Sequence, residues 1–272
     1  MDVNRQPNRY HYEVQPGEAP RIIYMTFDDH HPQDTIARLI FREPFKFTLG
    51  KNGKRNAGIA LTQLTLINAP VNVCEQRTNN TLLFGNNLET ATRVTLRDGF
   101  YDSINAIRQE IAASNVDCSF GYDNLYYTTY SGSGNMYIPL GRAGEPNDEH
   151  IGQKFGFTKG EVEVKDGTMY LVVRPETKSN RPGDIYGPTA DIRITCDEVV
   201  YTAETDKVVA TANLGCVPQR AYCSIGLDPE FREIMECHEL TSLTLRVRDR
   251  TNKPLRFVSG APSATLKLMH LS

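Results

Sequence analysis

The stretch from Leu243 to Phe257, LTLRVRDRTNKPLRF, decides the fold class of this chain. Its first half alternates apolar residues with Thr244, Arg246 and Arg248, which is the period of a β-strand with one buried face. The following RTNKP is typical of a turn, because Asn252 tolerates a positive φ and a proline restricts the residue before it to extended geometry. The stretch therefore predicts a strand, a turn and a second strand, with the arginines on the face away from the core.

Similar segments, rich in β-branched and aromatic residues, recur along the chain between Gly, Pro, Asn and Asp. In 191–196, for example, isoleucines and a cysteine alternate with Arg193 and Thr195. The Asp166-Gly167 pair between two such segments favours a tight hairpin over 161–173. Many short strands with frequent turn signals indicate an all-β protein, an antiparallel sandwich or barrel.

Two segments carry helix signals. In DSINAIRQEIAAS (102–114), Asp102 or Ser103 can cap the first turn, and the isoleucines at 104, 107 and 111 form one apolar stripe. A second short helix is predicted over 229–236, because a proline is tolerated at a first helical position.

Composition excludes several classes of protein. The chain has 272 residues and a net charge of −3, so a nucleic-acid contact would be local rather than spread over the whole surface. No apolar run reaches the roughly 20 residues of a membrane-spanning helix. The polar first 20 residues lack the apolar core of a signal peptide, which predicts folding in the cytosol or nucleus. The six cysteines show no C-x-x-C spacing, so we expect free thiols rather than a zinc site.

The turn at 249–253 and its flanks form a basic strip, opposed within it only by Asp249. One interpretation is a solvated sheet face; the other is contact with a partner protein or with nucleic-acid phosphates. No aromatic residue is interleaved to stack bases, which argues against single-strand binding. The members of the basic strip are Arg246, Arg248, Arg250, Lys253 and Arg256.

The best candidate for enzymatic chemistry is FDDHHPQD (27–34), where Asp28 and His30 are metal ligands by residue type. Adjacent strand residues point to opposite faces, however, and the His-Pro pair marks a turn, so a solvated turn is the favoured interpretation. The sequence contains no H-E-x-x-H, no G-x-S-x-G and no nucleotide fingerprint. We therefore predict no catalytic residue, no cofactor and no enzymatic activity.

The order of several motifs resembles the single jelly-roll minor capsid (penton) proteins of Polinton/Maverick elements, adintoviruses and virophages. The resemblance spans residues 58–272, and each motif is weak on its own. The motifs are IALTQLTLINAPVNV, TRVTLRDGFYDSINAIRQEIAAS, IGQKFGF (151–157), DIRITCDEVV (191–200) and the closing LTSLTLRVRDRTNKPLRFVSGAPSATLKLMHL.

The resemblance implies an antiparallel, eight-stranded single jelly roll with one or two short helices. It implies a domain over 58–272, preceded by an arm at 1–20 and by extra strands or an insertion at 21–57. Five copies would close a homopentamer at an icosahedral vertex of a virion, in contact with the major capsid protein. The basic strip would then meet packaged DNA without reading its sequence, and assembly would take place in the host nucleus or cytoplasm.

An alternative is a β-sandwich binding module, lectin-like or an attachment protein. It would act through the long polar loops at 142–153 and 175–188, because loops of this length in a compact domain are often functional. This alternative predicts a ligand pocket at the loop end of the domain.

Overall fold

A computed structural model describes residues 13–14, 20–28, 35–47, 57–199, 207–227, 231–233 and 239–270. These residues form strands and a few short helices. The strands are β1 (Glu13–Val14), β2 (Arg21–Thr26), β3 (Thr35–Phe47), β4 (Ala57–Ile67), β5 (Thr81–Gly85), β6 (Thr92–Thr95), β7 (Cys118–Tyr122), β8 (Tyr127–Gly132), β9 (Asn135–Arg142), β10 (Glu145–Pro146), β11 (Glu161–Lys165), β12 (Thr168–Val173), β13 (Thr177–Pro182), β14 (Asp191–Cys196), β15 (Val208–Asn213), β16 (Tyr222–Gly226), β17 (Arg232–Glu233), β18 (Glu239–Asp249) and β19 (Ser263–His270). The α-helices are α1 (Ile104–Ala112) and α2 (Gly152–Phe155).

The chain divides into two compact units. Unit 1 comprises Met1–Asn68 and Asp191–Ser272, and unit 2 is the continuous segment Ala69–Ala190. Unit 2 is therefore inserted in the sequence of unit 1, between strands β4 and β14.

Unit 1 is an eight-stranded jelly roll. One of its sheets has the strand order β2-β19-β4-β16, with β17 also paired to β4, and the other has β1-β3-β18-β14-β15. The eight strands of the roll are those other than the two-residue strands β1 and β17. Numbered one to eight along unit 1, these strands lie in the orders 1-8-3-6 and 2-7-4-5, which is the jelly-roll arrangement of two Greek keys. All pairs among the eight strands are antiparallel. The predicted all-β class and the eight-stranded roll are confirmed.

The core of unit 1 collects the apolar faces of both sheets. The alternation predicted from the opening stretch is observed: Leu243, Leu245 and Val247 of β18 are fully buried, whereas Arg246 and Arg248 remain partly exposed. Strands from the two sheets contribute to one cluster, which includes Ile23, Leu61, Leu64, Ile192, Ile194, Leu245, Leu266 and Leu268. Burial of this apolar surface is the main force that holds the sheets together.

Unit 2 contains two further antiparallel sheets. Their strand orders are β11-β12-β9-β5-β6 and β13-β8-β7. Helix α1 packs Ile107 and Ile111 into the core that these sheets enclose, together with Phe120, Tyr130 and Phe155. Ser103 caps α1 by accepting a hydrogen bond from the Ala106 N–H, as the sequence predicts.

Two other local predictions have opposite outcomes. The hairpin over 161–173 is confirmed, with Asp166 at φ +50° and Gly167 at φ +74° between β11 and β12. The helix over 229–236 is wrong at Arg232–Glu233, which pair as a short strand with Ile59 and Gly58 of β4. The remaining residues of that segment, except 231, lie outside the described part.

The strands before residue 57 take part in both sheets of the roll. β2 pairs with β19, and β3 pairs with β18. The units divide at 68/69 and 190/191, whereas the boundaries predicted from the sequence are 20/21 and 57/58. Of the predicted arm at 1–20, only 13–14 and 20 belong to the described residues.

Candidate functional site

The turn at 249–253, within the basic strip, is built around one buried carboxylate. Asp249 is fully buried, and its Oδ1 accepts hydrogen bonds from Thr251 N (2.8 Å), Thr251 Oγ1 (2.7 Å) and Lys253 N (3.0 Å). Asn252 adopts φ +66°, as expected for this turn. Asp249 thus fixes the loop from inside.

The structure divides the predicted basic strip. Arg246 is bound by Asp197, with Nη2 2.9 Å from Oδ2 and Nε 3.1 Å from Oδ1, whereas Arg250 and Lys253 are exposed in the turn. The pairing of β14 with β18 places Arg193, which is not a member of the basic strip, directly opposite Arg248. Like charges in cross-strand positions repel each other, so a nearby anion would stabilise this pair. The period of 191–196 put Arg193 on the polar face, but only strand pairing brings it beside Arg248.

Of the two candidate metal ligands, Asp28 and His30, only Asp28 belongs to the described residues. Asp28 is exposed, and its backbone N–H donates to Ile36 O at 2.7 Å in an isolated β-bridge; His30 lies outside the described residues. Across the part of the chain that the structure describes, no group of three or more His, Cys, Asp or Glu residues is placed to hold a metal ion. In the same part, no helix is both long and apolar enough to cross a membrane.

The two loops of the alternative hypothesis meet within unit 2. The backbone of Asp184 donates to Gln153 O at 3.1 Å, and Lys154 Nζ donates to Ile185 O at 2.8 Å. Gly183 N in turn donates to Tyr126 O at 3.1 Å, at the tip of the β7–β8 hairpin. The segment 183–185 is therefore fixed between α2 and this hairpin, and we call it the strap.

Charged side chains are buried beneath the loop at 142–153. Arg77 and Glu149 form an ion pair with Nη1 and Oε2 2.6 Å apart, and their side chains are only 5% and 8% exposed. Burial lowers the pKa of the neighbouring Lys154 to about 7, although nearby Asp184 and Glu149 act in the opposite direction. Burial also lowers the pKa of His150 to about 4, so this imidazole is neutral at physiological pH. Local sequence did not predict this cluster, because Arg77 is far from Glu149 and Lys154 in the chain and only the tertiary structure brings them together.

An open cavity of about 230 Å³ lies beside the strap. Tyr122 and Tyr126 at its rim are 52% and 70% exposed. Tyr126 adopts φ +63°, a rare conformation for a bulky residue. The cavity lining includes Asp102, Asn105, Tyr122, Tyr126, Lys154 and Ile185.

Comparisons with known proteins give structural neighbours only. The chain matches no known protein family, and no curated protein matches its sequence. It is similar in structure to the mavirus penton protein, with a TM-score of 0.45 and 10% identity over 93% of this chain and 100% of that chain. It is also similar to a chain from the cryo-EM structure of the Sputnik virophage, with a TM-score of 0.38 and 11% identity over 93% of this chain and 98% of that chain.

Proposed function

We propose that this chain is a non-enzymatic minor capsid (penton) protein, which forms homopentamers at the icosahedral vertices of a virion and contacts the major capsid protein. The observation that carries the proposal is the strand order of unit 1. The jelly roll recurs in viral capsid proteins, although it also occurs in lectin domains. The motif order over 58–272 favours the first of these uses.

Unit 1 offers apolar surface for subunit contacts. Ile22 and Tyr24 project from the same face of β2 and are 56% and 75% exposed. Among the strands of the described residues, β2 is at the edge of its sheet, and an exposed apolar edge strand is a site where another chain can add. A contact between this edge and a different face of the next subunit is heterologous, and such contacts close into rings when the rotation permits.

The other parts of the proposal concern partners. The basic strip, extended by Arg193, would contact packaged DNA through phosphates. The double substitution Arg250→Glu/Lys253→Glu should weaken binding to random-sequence duplex DNA and reduce the salt dependence of that binding. Arg142→Glu/Lys159→Glu in unit 2 changes the net charge equally and is the control; an equal loss in both variants would refute the role of the strip.

Solution mass tests the assembly proposal. Light scattering combined with negative-stain images should show five-fold rings of about five times 30.6 kDa. Ile22→Asp/Tyr24→Asp should abolish the rings, whereas Val164→Asp, on an exposed strand of unit 2, should leave them intact. A stable dimer or trimer would contradict the vertex proposal, as would a monomer that forms no ring when mixed with the major capsid protein. Rings that survive the double substitution would refute the β2 contact alone.

A further inference from the structure

The cavity beside the strap has the features of a preformed binding site. Ligand pockets combine apolar and aromatic walls with a few fixed polar groups. Here the wall formed by the strap is held at three points: by Gln153 O, by Lys154 Nζ and by Tyr126 O. The described contacts therefore shape the cavity without a ligand.

Two tyrosine rings define what the cavity can accept. Tyr122 and Tyr126 expose their rings at its rim rather than burying them in the core of unit 2. The backbone of Tyr126 is held in its rare conformation by Asp123, whose carbonyl oxygen accepts from Tyr126 N at 3.0 Å and whose Oδ1 accepts from Tyr127 N at 3.1 Å. Strained backbone of this kind persists where the surroundings enforce it, and it concentrates at functional sites.

The lining also contains both hydrogen-bond donors and hydrogen-bond acceptors. The Lys154 side-chain nitrogen is a hydrogen-bond donor, and one of its N–H groups is directed at Ile185 O. Asp102 contributes carboxylate oxygens, and the Asn105 side chain contributes an amide that donates to Tyr122 Oη at 3.3 Å. A donor and an acceptor beside exposed aromatic rings match a ring that has hydroxyl groups on its edge and C–H groups on its face.

We propose that this cavity binds a single sugar ring of a glycan, through stacking on Tyr122 and Tyr126, hydrogen bonds donated by Lys154 and hydrogen bonds accepted by Asp102. A volume of about 230 Å³ lies below the ~300–1,000 Å³ typical of pockets for drug-sized ligands, so one ring fits rather than an extended chain. Such a site would give unit 2 a role in attachment to a cell surface. The inference stands on unit 2 alone, and it does not require the assembly proposed for unit 1.

Saturation-transfer NMR on the full-length protein tests this inference. The probes are methyl α-mannoside, methyl β-galactoside and methyl N-acetyl-β-glucosaminide, each at millimolar concentration. At least one should receive saturation, and its binding should weaken about tenfold in Tyr126→Asn, because asparagine suits a positive φ but lacks the ring. Lys154→Met, which keeps the length of the side chain and removes its donors, should weaken binding as well.

Tyr222→Asn is the matched control, since Tyr222 is an exposed tyrosine of unit 1. Binding that falls in the two cavity variants and persists in the control supports the site. The proposal is overturned if no glycoside receives saturation, or if Tyr126→Asn and Lys154→Met both bind like the wild type. The solution mass is measured separately, so failure of the sugar site and failure of the vertex proposal are distinguishable.

Discussion

Replacing Glu149 by leucine should destabilise unit 2 by about 3–5 kcal/mol, the range for removing one partner of a buried ion pair. Glu149 and Arg77 are both almost fully buried, with 2.6 Å between their charged atoms. Without the carboxylate, the Arg77 guanidinium would remain in the interior close to the Lys154 amine. Replacing both partners, in Arg77→Met/Glu149→Leu, should recover most of the loss, because two buried charges are then replaced by apolar packing.

Native-state hydrogen exchange followed by mass spectrometry is the suitable assay. It resolves unit 2 from unit 1, and the chain contains no tryptophan for a simple fluorescence measurement. A cost of 3–5 kcal/mol corresponds to exchange about 10²- to 10⁴-fold faster in the protected amides of β9 and β12, if these exchange by opening of the whole unit.

An exposed ion pair in the same unit is the control. Arg174 and Glu161 are also 2.6 Å apart, but their side chains are 68% and 52% exposed. Glu161→Leu should change stability by less than about 1 kcal/mol. The reasoning is refuted if Glu149→Leu costs no more than Glu161→Leu, or if the double variant is as unstable as the single one.

Three further predictions concern the turn of the basic strip, a glycine and a buried amine. Asp249→Ala should destabilise unit 1 by about 3 kcal/mol, because it removes three hydrogen bonds to a carboxylate, whereas Asp249→Asn should cost less than half of that. Gly156→Ala should cost about 2 kcal/mol or more, since φ is +83° and a Cβ would overlap the Arg181 carbonyl; Gly167→Ala, at φ +74° in open space, should cost about 1 kcal/mol. The stability of unit 2 should rise between pH 7 and about 9.5, and Lys154→Met should flatten this rise. In that range the unfolded chain binds a proton at this lysine that the native chain lacks, because burial lowers the native pKa to about 7.

Urea titrations read by pulsed hydrogen exchange of peptides from each unit measure all three effects. Equal losses for Asp249→Ala and Asp249→Asn would show that the carboxylate does not fix the turn. Equal losses for the two glycine variants would show that the contact with Arg181 is unimportant. A wild-type stability that falls from pH 7 to 9.5 would contradict the assigned state of Lys154.

Local patterns were sufficient wherever a segment makes its own structure. The Ser103 cap and the isoleucine stripe identified α1, and Asp166-Gly167 identified a hairpin. Alternation in the opening stretch separated Leu245 from Arg246 correctly. In each case the deciding residues are close in sequence, so the hydrophobic period and the turn residues are enough to predict the local structure.

Features set by distant contacts were not predictable in this way. The proline at 229 favours a helix, yet pairing with β4 makes Arg232–Glu233 a strand, because neighbouring strands can override local propensity. The Pro- and Gly-containing segment before 190/191 reads equally well as a loop within one domain, so the insertion of unit 2 was not predicted. Lys154, Arg77 and Glu149 are charged residues that local sequence places at the surface, and only the tertiary structure buries them.

The interrupted sequence of unit 1 has a consequence for synthesis on the ribosome. Strand β4 cannot pair with β19 until β19 has been synthesised, about 200 residues later. In the folded protein this pairing places Ala60 opposite Lys267. At about 5–20 residues per second this delay is about 10–40 s. Unit 2 is continuous and can fold during the delay, while the apolar strands β2 to β4 remain without their final partners. We therefore expect nascent chains that end between residues 190 and 240 to be the forms most dependent on chaperones.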